Sequence, residues 1–199
     1  QYLPAADDGS RPATYYYRNV PKDLYRASLQ AVILHETLPG HHLQQAFLAE
    51  RGRKENHPIG RLLYFSGPGE GWATYAEDFA QEIGLYDSDL DYIGRMMGSI
   101  TPMMVVELGM QVKGWSVEQA VEYLREAMPM RPPERAPQSV ALISSQPGFV
   151  LAYPLGGMEW EKMRARAQAG LGRNFDARAF HQMELEDGML PFVALSAKL

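Results

Sequence analysis

Apolar and polar positions follow a helical pattern along most of the chain, and proline and glycine mark its interruptions. The pattern predicts a helical segment from about Leu24 to about Glu50. Pro39-Gly40 must kink or break this segment, because proline removes a backbone donor. A polar loop is expected from Gly52 to Pro58. Further helices are predicted at about residues 70–83, from Ser116 to about Met128, and at about 138–145, 155–169, 176–186 and 190–198. Asp87 and Ser88 offer caps for another helix, which Pro102 is expected to split.

Local signals refine this outline. Ser116-Val117-Glu118-Gln119 has the sequence of a capping box, and Asp176 offers another helix N-cap. Pro129 to Pro137 contains four prolines and is expected to be a loop. Thr14 to Val20 is aromatic and β-branched, which is typical of a strand, and Pro21 would end it. The prediction is a single domain, residues 1–199, of mainly α class (α+β), with a short strand or sheet-edge region near the N-terminus.

Composition limits the classes of function. The 199 residues are 46% hydrophobic and 22% charged, as in a soluble globular protein. A net charge of −5 without a basic run argues against nucleic-acid binding, and no apolar stretch approaches the roughly 20 residues of a membrane span. The first residues lack a signal-peptide pattern, and both a cytoplasmic and a periplasmic location stay open. Because the chain has no cysteine, any metal must be held by His, Asp or Glu.

Three of the five histidines, His35, His41 and His42, fall within eight residues. Glu36 directly follows His35. The segment therefore contains imidazoles that can bind zinc and a carboxylate that can accept a proton from the activated water. In the usual H-E-x-x-H helix the histidines lie one turn apart. On a straight helix, position 41 faces away from His35 and position 42 lies roughly 10.5 Å along the axis. A shared metal therefore needs a local bulge, which Pro39-Gly40 could supply. Otherwise the histidines are buried, capping or solvent-facing groups.

A third ligand is available in the segment Gly69-Glu70-Gly71-Trp72-Ala73-Thr74-Tyr75-Ala76-Glu77. Glu70 and Glu77 are seven residues apart, so they lie on one face of the predicted helix. Zinc in hydrolases usually has three protein ligands and one open position, and Glu70 would complete such a set with two histidines. The alternative is that Glu70, near the start of the helix, only interacts with the positive end of the helix dipole.

These motifs resemble two groups of proteins. The Glu70 segment is similar to the one that provides the glutamate ligand in M1-type aminopeptidases. A closer resemblance, over nearly the whole chain, is to the DUF885 family, bacterial proteins that look like zinc metallopeptidases of the gluzincin type. The matching motifs are Asp8-Gly9-Ser10-Arg11-Pro12, Tyr15-Tyr16, His35-Glu36, Pro39-Gly40-His41-His42-Leu43-Gln44, Glu70-Gly71-Trp72-Ala73, Tyr75-Ala76-Glu77, Lys113-Gly114-Trp115-Ser116, Glu118-Gln119-Ala120, Pro147-Gly148, Tyr153, Gly156, Phe175-Asp176, Phe180-His181 and Gly188 to Pro191. Family members are usually much longer. The resemblance therefore implies the C-terminal, site-bearing part of a zincin-like helical metallopeptidase, with an N-terminal segment of a longer parent chain before it.

The resemblance also implies roles for the clustered residues. His35, His41 and Glu70 would hold Zn²⁺, and Glu36 would act as general base and return the proton to the leaving amine. His41 is preferred as the second ligand because a Gly-His pair ends ordinary H-E-x-G-H helices. His42 is then a supporting or substrate-facing group, or the alternative ligand.

Other residues receive less specific predictions. Glu77 either orients a ligand histidine or lies on an exposed helix face. Tyr153 either donates to the oxyanion or packs as an aromatic. Tyr16 and Tyr17 belong to the predicted strand, whose edge could bind an extended peptide substrate unless it is a core strand. His181 is expected to be structural.

The sequence departs from the family pattern at two places. Gln111 stands where the family tends to have the histidine of an Asp-x-Gly-x-His motif, and an amide cannot carry a proton near neutral pH. Gln146-Pro147-Gly148-Phe149 replaces a Trp-Pro-Gly-Gln motif. The predicted function is a zinc metallopeptidase acting on a peptide or small-amide substrate. The alternatives are a zinc hydrolase of non-peptide amides or esters, and a catalytically weakened relative that binds a metal or a partner.

Overall fold

The computed structural model describes residues 2–6, 8–17, 26–52, 63–97, 99–129 and 131–199. Within these residues the protein is mainly helical, with a small antiparallel sheet near the N-terminus, as predicted. The sheet pairs strand β1 (Tyr2–Leu3) with strand β2 (Thr14–Tyr15), and Tyr2 lies opposite Tyr15. The helices are α1 (Arg26–Glu36), α2 (His41–Gly52), α3 (Ser66–Glu82), α4 (Asp89–Met97), α5 (Thr101–Lys113), α6 (Val117–Ala127), α7 (Arg135–Ser145), α8 (Ala152–Leu171), α9 (Ala177–Leu185) and α10 (Phe192–Ser196).

The predicted interruption at Pro39-Gly40 is a complete break between α1 and α2 rather than a bulge within one helix. The Leu38–Pro39 peptide bond is cis. The indole N–H of Trp72 donates to the carbonyl oxygens of Pro39 and Gly40, at 3.1 Å each, and anchors the turn to α3. A Cβ atom on Gly40 would lie 1.8 Å from the carbonyl oxygen of His35, so only glycine fits this turn. The two ends of the histidine segment therefore belong to different helices.

Several helices begin earlier than predicted, because prolines lie within their first turns. Pro68 is the third residue of α3, and Pro137 and Pro154 are the third residues of α7 and α8. A proline costs little there, since the first backbone N–H groups of a helix have no intrahelical partner. The loop predicted for Pro129 to Pro137 accordingly ends where α7 begins, at Arg135.

Helices α3 and α8 pack at glycine-to-glycine contacts. A Cβ atom on Gly71 would lie 2.4 Å from the carbonyl carbon of Gly156, and one on Gly156 would lie 2.2 Å from the carbonyl oxygen of Gly67. The indole N–H of Trp160 on α8 donates to the carbonyl oxygen of Pro68 at 3.1 Å. This close approach holds the first turn of α8, which carries Tyr153, near the first half of α3.

An apolar core joins α5, α6 and α7. Its buried side chains include Met103, Val106, Ala120, Leu124, Val140 and Ile143. The predicted capping box starts α6: the backbone N–H of Gln119 donates to Ser116 Oγ, and the backbone N–H of Ser116 donates to Gln119 Oε1. The predicted cap at Asp176 is also present, where Oδ1 accepts from the backbone N–H of Ala179 at 2.8 Å.

Strand β2 is shorter than predicted. Its partner β1 has only two residues, so the ladder ends after Tyr15. Tyr16 and Tyr17 lie beyond the strand with exposed side chains, and positions 18–20 lie outside the described residues. The predicted start at Leu24 and the predicted loop after Gly52 also fall outside them. None of the described helices is both long and apolar enough to cross a membrane.

Candidate metal centre

Three predicted ligands converge from three helices. His35 lies at the end of α1, His41 at the start of α2, and Glu70 in the second turn of α3. Glu70 Oε2 lies 3.5 Å from His35 Nε2 and 3.3 Å from His41 Nε2, and one ligand atom from each residue lies within 4.8 Å of the others. Ligands bonded tetrahedrally to zinc at about 2.0–2.1 Å lie about 3.3 Å apart. The donor set, and the distances of both imidazoles from Glu70 Oε2, therefore suit a zinc ion.

The carboxylate of Glu70 divides its two oxygens between different partners. The Tyr64 hydroxyl donates to Oε1 at 2.7 Å, which leaves Oε2 beside the two imidazoles. Burial acts to raise the pKa of Glu70, but the contacts with His35 and His41 hold it well below its usual range. Because α3 begins at Ser66, Glu70 lies beyond its first turn. That position does not favour the helix-dipole alternative, since the dipole effect is confined to the first turn.

Glu77 lies where it can orient His35. Its Oε1 is 2.7 Å from His35 Nδ1, and an ionised carboxylate only accepts hydrogen bonds. Nδ1 therefore carries the proton in the neutral imidazole, and Nε2 presents its lone pair toward Glu70. Without a metal, burial acts to lower the pKa of His35, but contacts with Glu70 and Glu77 raise it to about 9.

Glu36 and His42 both face strand β1. The backbone N–H of Tyr2 donates to Glu36 Oε2 at 2.8 Å, and the Tyr2 hydroxyl lies 2.9 Å from His42 Nδ1. The His42 ring is directed at Tyr2, edge to face, with ring centroids 5.5 Å apart. The ring of His41 instead lies perpendicular to that of His35, with centroids 4.9 Å apart. The geometry thus places His41, and not His42, beside His35 and Glu70.

Tyr153 covers the His35 ring. The two rings are stacked, with centroids 5.9 Å apart and planes 15° apart. Burial, with the adjacent charge and hydrogen bond of Glu70, raises the pKa of Tyr153 above its usual value. Its phenol consequently stays protonated over the physiological pH range and can donate a hydrogen bond at the metal centre.

The other predicted residues differ in their exposure. Tyr16 and Tyr17 are 58% and 63% exposed. His181 is buried, and the Tyr75 hydroxyl lies 2.7 Å from its Nε2. Burial lowers the pKa of His181 to about 4, which suits a neutral structural histidine. Gln111 lies on α5 with an exposed side chain.

Three residues that contact the site lie outside the set predicted from the sequence. Tyr64 donates to Glu70, Tyr2 contacts Glu36 and His42, and Arg95 donates from Nε to Glu77 Oε2 at 2.8 Å. None lies in the histidine or Gly-Glu-Gly-Trp motif. The capping and periodicity signals of single helices contain no information about them, because these contacts join separate elements.

Glu107 is a further buried residue whose contact the sequence does not predict. Its side chain is 2% exposed, and Oε1 accepts from the backbone N–H of Gly148. The contact ties α5 to the turn before α8. It connects the segment that departs from the family pattern at Gln111 to the segment that departs from it at Gln146.

The chain is similar to two solved structures of bacterial proteins. A candidate lipoprotein from Colwellia psychrerythraea matches with 31% identity and a TM-score of 0.91, over 100% of this chain and 34% of that one. A candidate lipoprotein of unknown function from Shewanella oneidensis matches with 21% identity and a TM-score of 0.77, over 86% of this chain and 31% of that one. At this lower identity the second match bears on the fold alone.

This chain spans about a third of the length of either structure. No curated protein sequence matches it. The family match covers residues 1–199 and agrees with the resemblance seen in the motifs: this chain belongs to the DUF885 family, described as bacterial proteins of unknown function.

Proposed function

We propose that this chain carries the active site of a zinc-dependent hydrolase of the gluzincin type that cleaves peptide bonds. The observation that carries the proposal is the convergence of His35, His41 and Glu70 at ligand distances. Glu36, which supplies a further carboxylate, directly follows the ligand His35 in the sequence. Two imidazoles and one carboxylate are a donor set of zinc hydrolases, which keep a fourth position open for water or substrate.

Zinc held by these three residues would supply Lewis-acid polarisation of the scissile carbonyl and a lowered pKa of the attacking water. The surrounding residues match the needs of such an ion. Glu77 fixes the His35 tautomer that presents Nε2, and Tyr64 turns Oε2 of Glu70 toward the histidines. The buried carboxylate of Glu70 also provides negative charge that offsets the charge of the cation.

The protein's own groups then carry the proton transfers. Glu36 takes a proton from the attacking water and delivers it to the leaving amine nitrogen, as amide cleavage requires. Tyr153 stays protonated and donates a hydrogen bond to the oxyanion that develops on the substrate carbonyl. The backbone N–H of Tyr2 holds one oxygen of Glu36 in a fixed direction during these transfers.

The first test is metal content after purification with zinc. We expect the wild-type chain and Glu82→Gln to retain about one zinc per chain, and His35→Ala and Glu70→Gln to lose it. Glu82 is the matched control because it is also an α3 carboxylate, but it pairs with Arg164 away from the centre.

The second test is hydrolysis of a peptide library by the zinc-loaded chain. Glu36→Gln should keep the zinc and lose hydrolysis by a factor of about 10² or more, since the amide cannot act as a general base. A wild-type chain that binds no zinc when zinc is supplied would overturn the proposal. Hydrolysis that persists in Glu36→Gln would overturn the assigned role of that residue.

A further inference from the structure

Arg95 joins α4 to α3 at Glu77, the residue that contacts the predicted ligand His35. Its Nε donates to Glu77 Oε2 at 2.8 Å, and its Nη2 donates to Asp78 Oδ2 at 2.9 Å. The Arg95 side chain is 10% exposed, so solvent screens these contacts only weakly. One guanidinium thus binds two successive carboxylates of the helix that also carries Glu70.

Arg95 and His35 contact different oxygens of the same Glu77 carboxylate. Glu77 Oε1 faces His35 Nδ1 at 2.7 Å, while Oε2 faces Arg95. A carboxylate held at only one oxygen can rotate about its terminal bond, because that torsion is broad. Held at both oxygens, Glu77 keeps Oε1 on His35 and thereby keeps His35 Nε2 on the metal side.

Arg95 is itself held in place. Its second carboxylate partner, Asp78, accepts at Oδ1 from the Tyr92 hydroxyl at 3.0 Å, and Tyr92 lies on α4 together with Arg95. The planar fork of a guanidinium fixes direction as well as charge. A rigid series of contacts therefore runs from α4 through Arg95 and Glu77 to His35.

We propose that Arg95 is a positioning residue for the metal ligand His35, acting through Glu77; this inference rests on the proposed function. It differs from a purely structural ion pair in one measurable respect. Loss of a structural pair lowers stability, whereas loss of a positioning residue also weakens the metal complex and alters its geometry.

The chain contains a matched control for this distinction. Arg164 on α8 donates from Nη1 and Nη2 to the two oxygens of Glu82 on α3, at 2.7 and 2.5 Å, and its side chain is 15% exposed. It resembles Arg95 in residue type, exposure and helix partner. Its partner carboxylate belongs to Glu82, the last residue of α3. Among the described residues, Glu82 contacts no ligand of the candidate centre.

The test compares Arg95→Met, Arg95→Lys and Arg164→Met. Zinc affinity is measured by competition with a chromophoric chelator, coordination by the visible spectrum of the Co²⁺-loaded chain, and folding by the melting temperature of the metal-free chain. We expect Arg95→Met to raise the zinc Kd about ten-fold, the lower end of the range for groups that hold a metal ligand, and to shift the Co²⁺ spectrum.

Arg164→Met should leave the zinc Kd and the Co²⁺ spectrum unchanged, with a comparable loss of melting temperature. Arg95→Lys should give an intermediate Kd, because an ammonium keeps the charge without the planar fork. It also serves as the test variant if Arg95→Met does not fold. Equal zinc affinity in the Arg95 variants and in Arg164→Met would overturn the positioning role while the proposed function stands. A wild-type chain that binds no zinc would overturn both.

Discussion

The backbone N–H of Tyr2 donates to Glu36 Oε2 at 2.8 Å, across 34 positions of sequence. Strand β1 thereby reaches the carboxylate that we assign as the general base. The same residue places its hydroxyl 2.9 Å from His42 Nδ1, so one strand residue contacts both neighbours of the predicted ligands His35 and His41. The short N-terminal sheet is therefore part of the site and not only a support for it.

Because any residue except proline supplies this N–H, Tyr2→Pro and Tyr2→Ala separate the donor from the side chain. Both variants lose the phenol, and only the proline variant loses the donor. Hydrogen bonds to charged groups contribute roughly 1.5–3 kcal/mol, so we expect kcat/KM for a peptide substrate to fall about ten-fold or more in Tyr2→Pro relative to Tyr2→Ala. Equal activity of the two variants, at equal zinc content, would contradict the role of this contact.

A second prediction concerns the crossing of α3 and α8 at Gly71. Alanine there would place Cβ 2.4 Å from backbone atoms of Gly156, and neither helix can move without disturbing Glu70 or Tyr153. We expect Gly71→Ala to destabilise the fold by about 3 kcal/mol, which lowers the melting temperature by about 6–12 °C.

Gly170 provides the control for this prediction, because it lies in α8 and a Cβ atom added there would meet no other part of the described chain within 4 Å. Gly170→Ala should raise stability by about 0.5–1 kcal/mol through the better helix propensity of alanine. If the two variants melt at the same temperature, the close approach of the helices is not the reason for glycine at position 71.

The sequence predicts those parts of the site that depend on local chemistry. The break between His35 and His41 follows from the loss of a donor at Pro39, and the shared face of Glu70 and Glu77 follows from their spacing of seven. Both features reside within one or two turns of chain, where periodicity and proline have direct consequences. The distortion that a shared metal requires is a full turn between two helices rather than a local bulge, because Gly40 allows a full change of direction.

The contacts that complete the site cannot be predicted in the same way. Tyr2 and Glu36 are 34 positions apart, and Arg95 and Glu77 are 18 apart. Their approach depends on how β1 and α4 pack, which hydrophobic periodicity does not specify. The end of β2 at Tyr15 likewise depends on the length of its partner strand, whereas the aromatic composition that predicts a strand continues through Tyr16 and Tyr17.

A third prediction concerns Glu184, a fully buried carboxyl group far from the described ligands in sequence. Neither of its oxygens has a hydrogen-bond partner within the described part of the chain. Burial raises its pKa to about 7; the Lys198 ammonium opposes this shift, and Asp187 adds to it. The folded state therefore binds this proton more tightly than the unfolded state, where the pKa is about 4.5.

The raised pKa of Glu184 should therefore make its full contribution to the free energy of unfolding below pH 4.5. This contribution should be lost as the pH rises through 7. Glu184→Gln resembles the protonated form, so we expect it to match the wild type near pH 4.5 and to be more stable at pH 8, by as much as about 3 kcal/mol. Denaturant titrations at both pH values measure this difference. Glu161→Gln, at an exposed position of α8, is the matched surface control for the same measurement.

The last prediction concerns proton release on zinc binding. In the metal-free chain, burial acts to lower the pKa of His35, but Glu70 and Glu77 raise it to about 9, above the unfolded value of 6.5. The protonated His35 therefore stabilises the metal-free fold below pH 6.5, and this contribution is lost as the pH rises through 9. At pH 7.5 zinc must displace this proton, because only the neutral imidazole binds a metal.

We expect the zinc Kd to fall about ten-fold per pH unit between pH 7 and 8.5 and to level off above pH 9. Calorimetry in two buffers of different ionisation enthalpy should show the release of about one proton from His35 at pH 7.5. Glu77→Gln removes one of the charges that raise this pKa, so it should move the levelling-off to lower pH, while Glu82→Gln should leave it unchanged. A zinc Kd that does not change between pH 7 and 8.5 would mean that the carboxylates do not hold a proton on His35. The contact of His35 with Glu77 would then orient the ring without storing a proton for release.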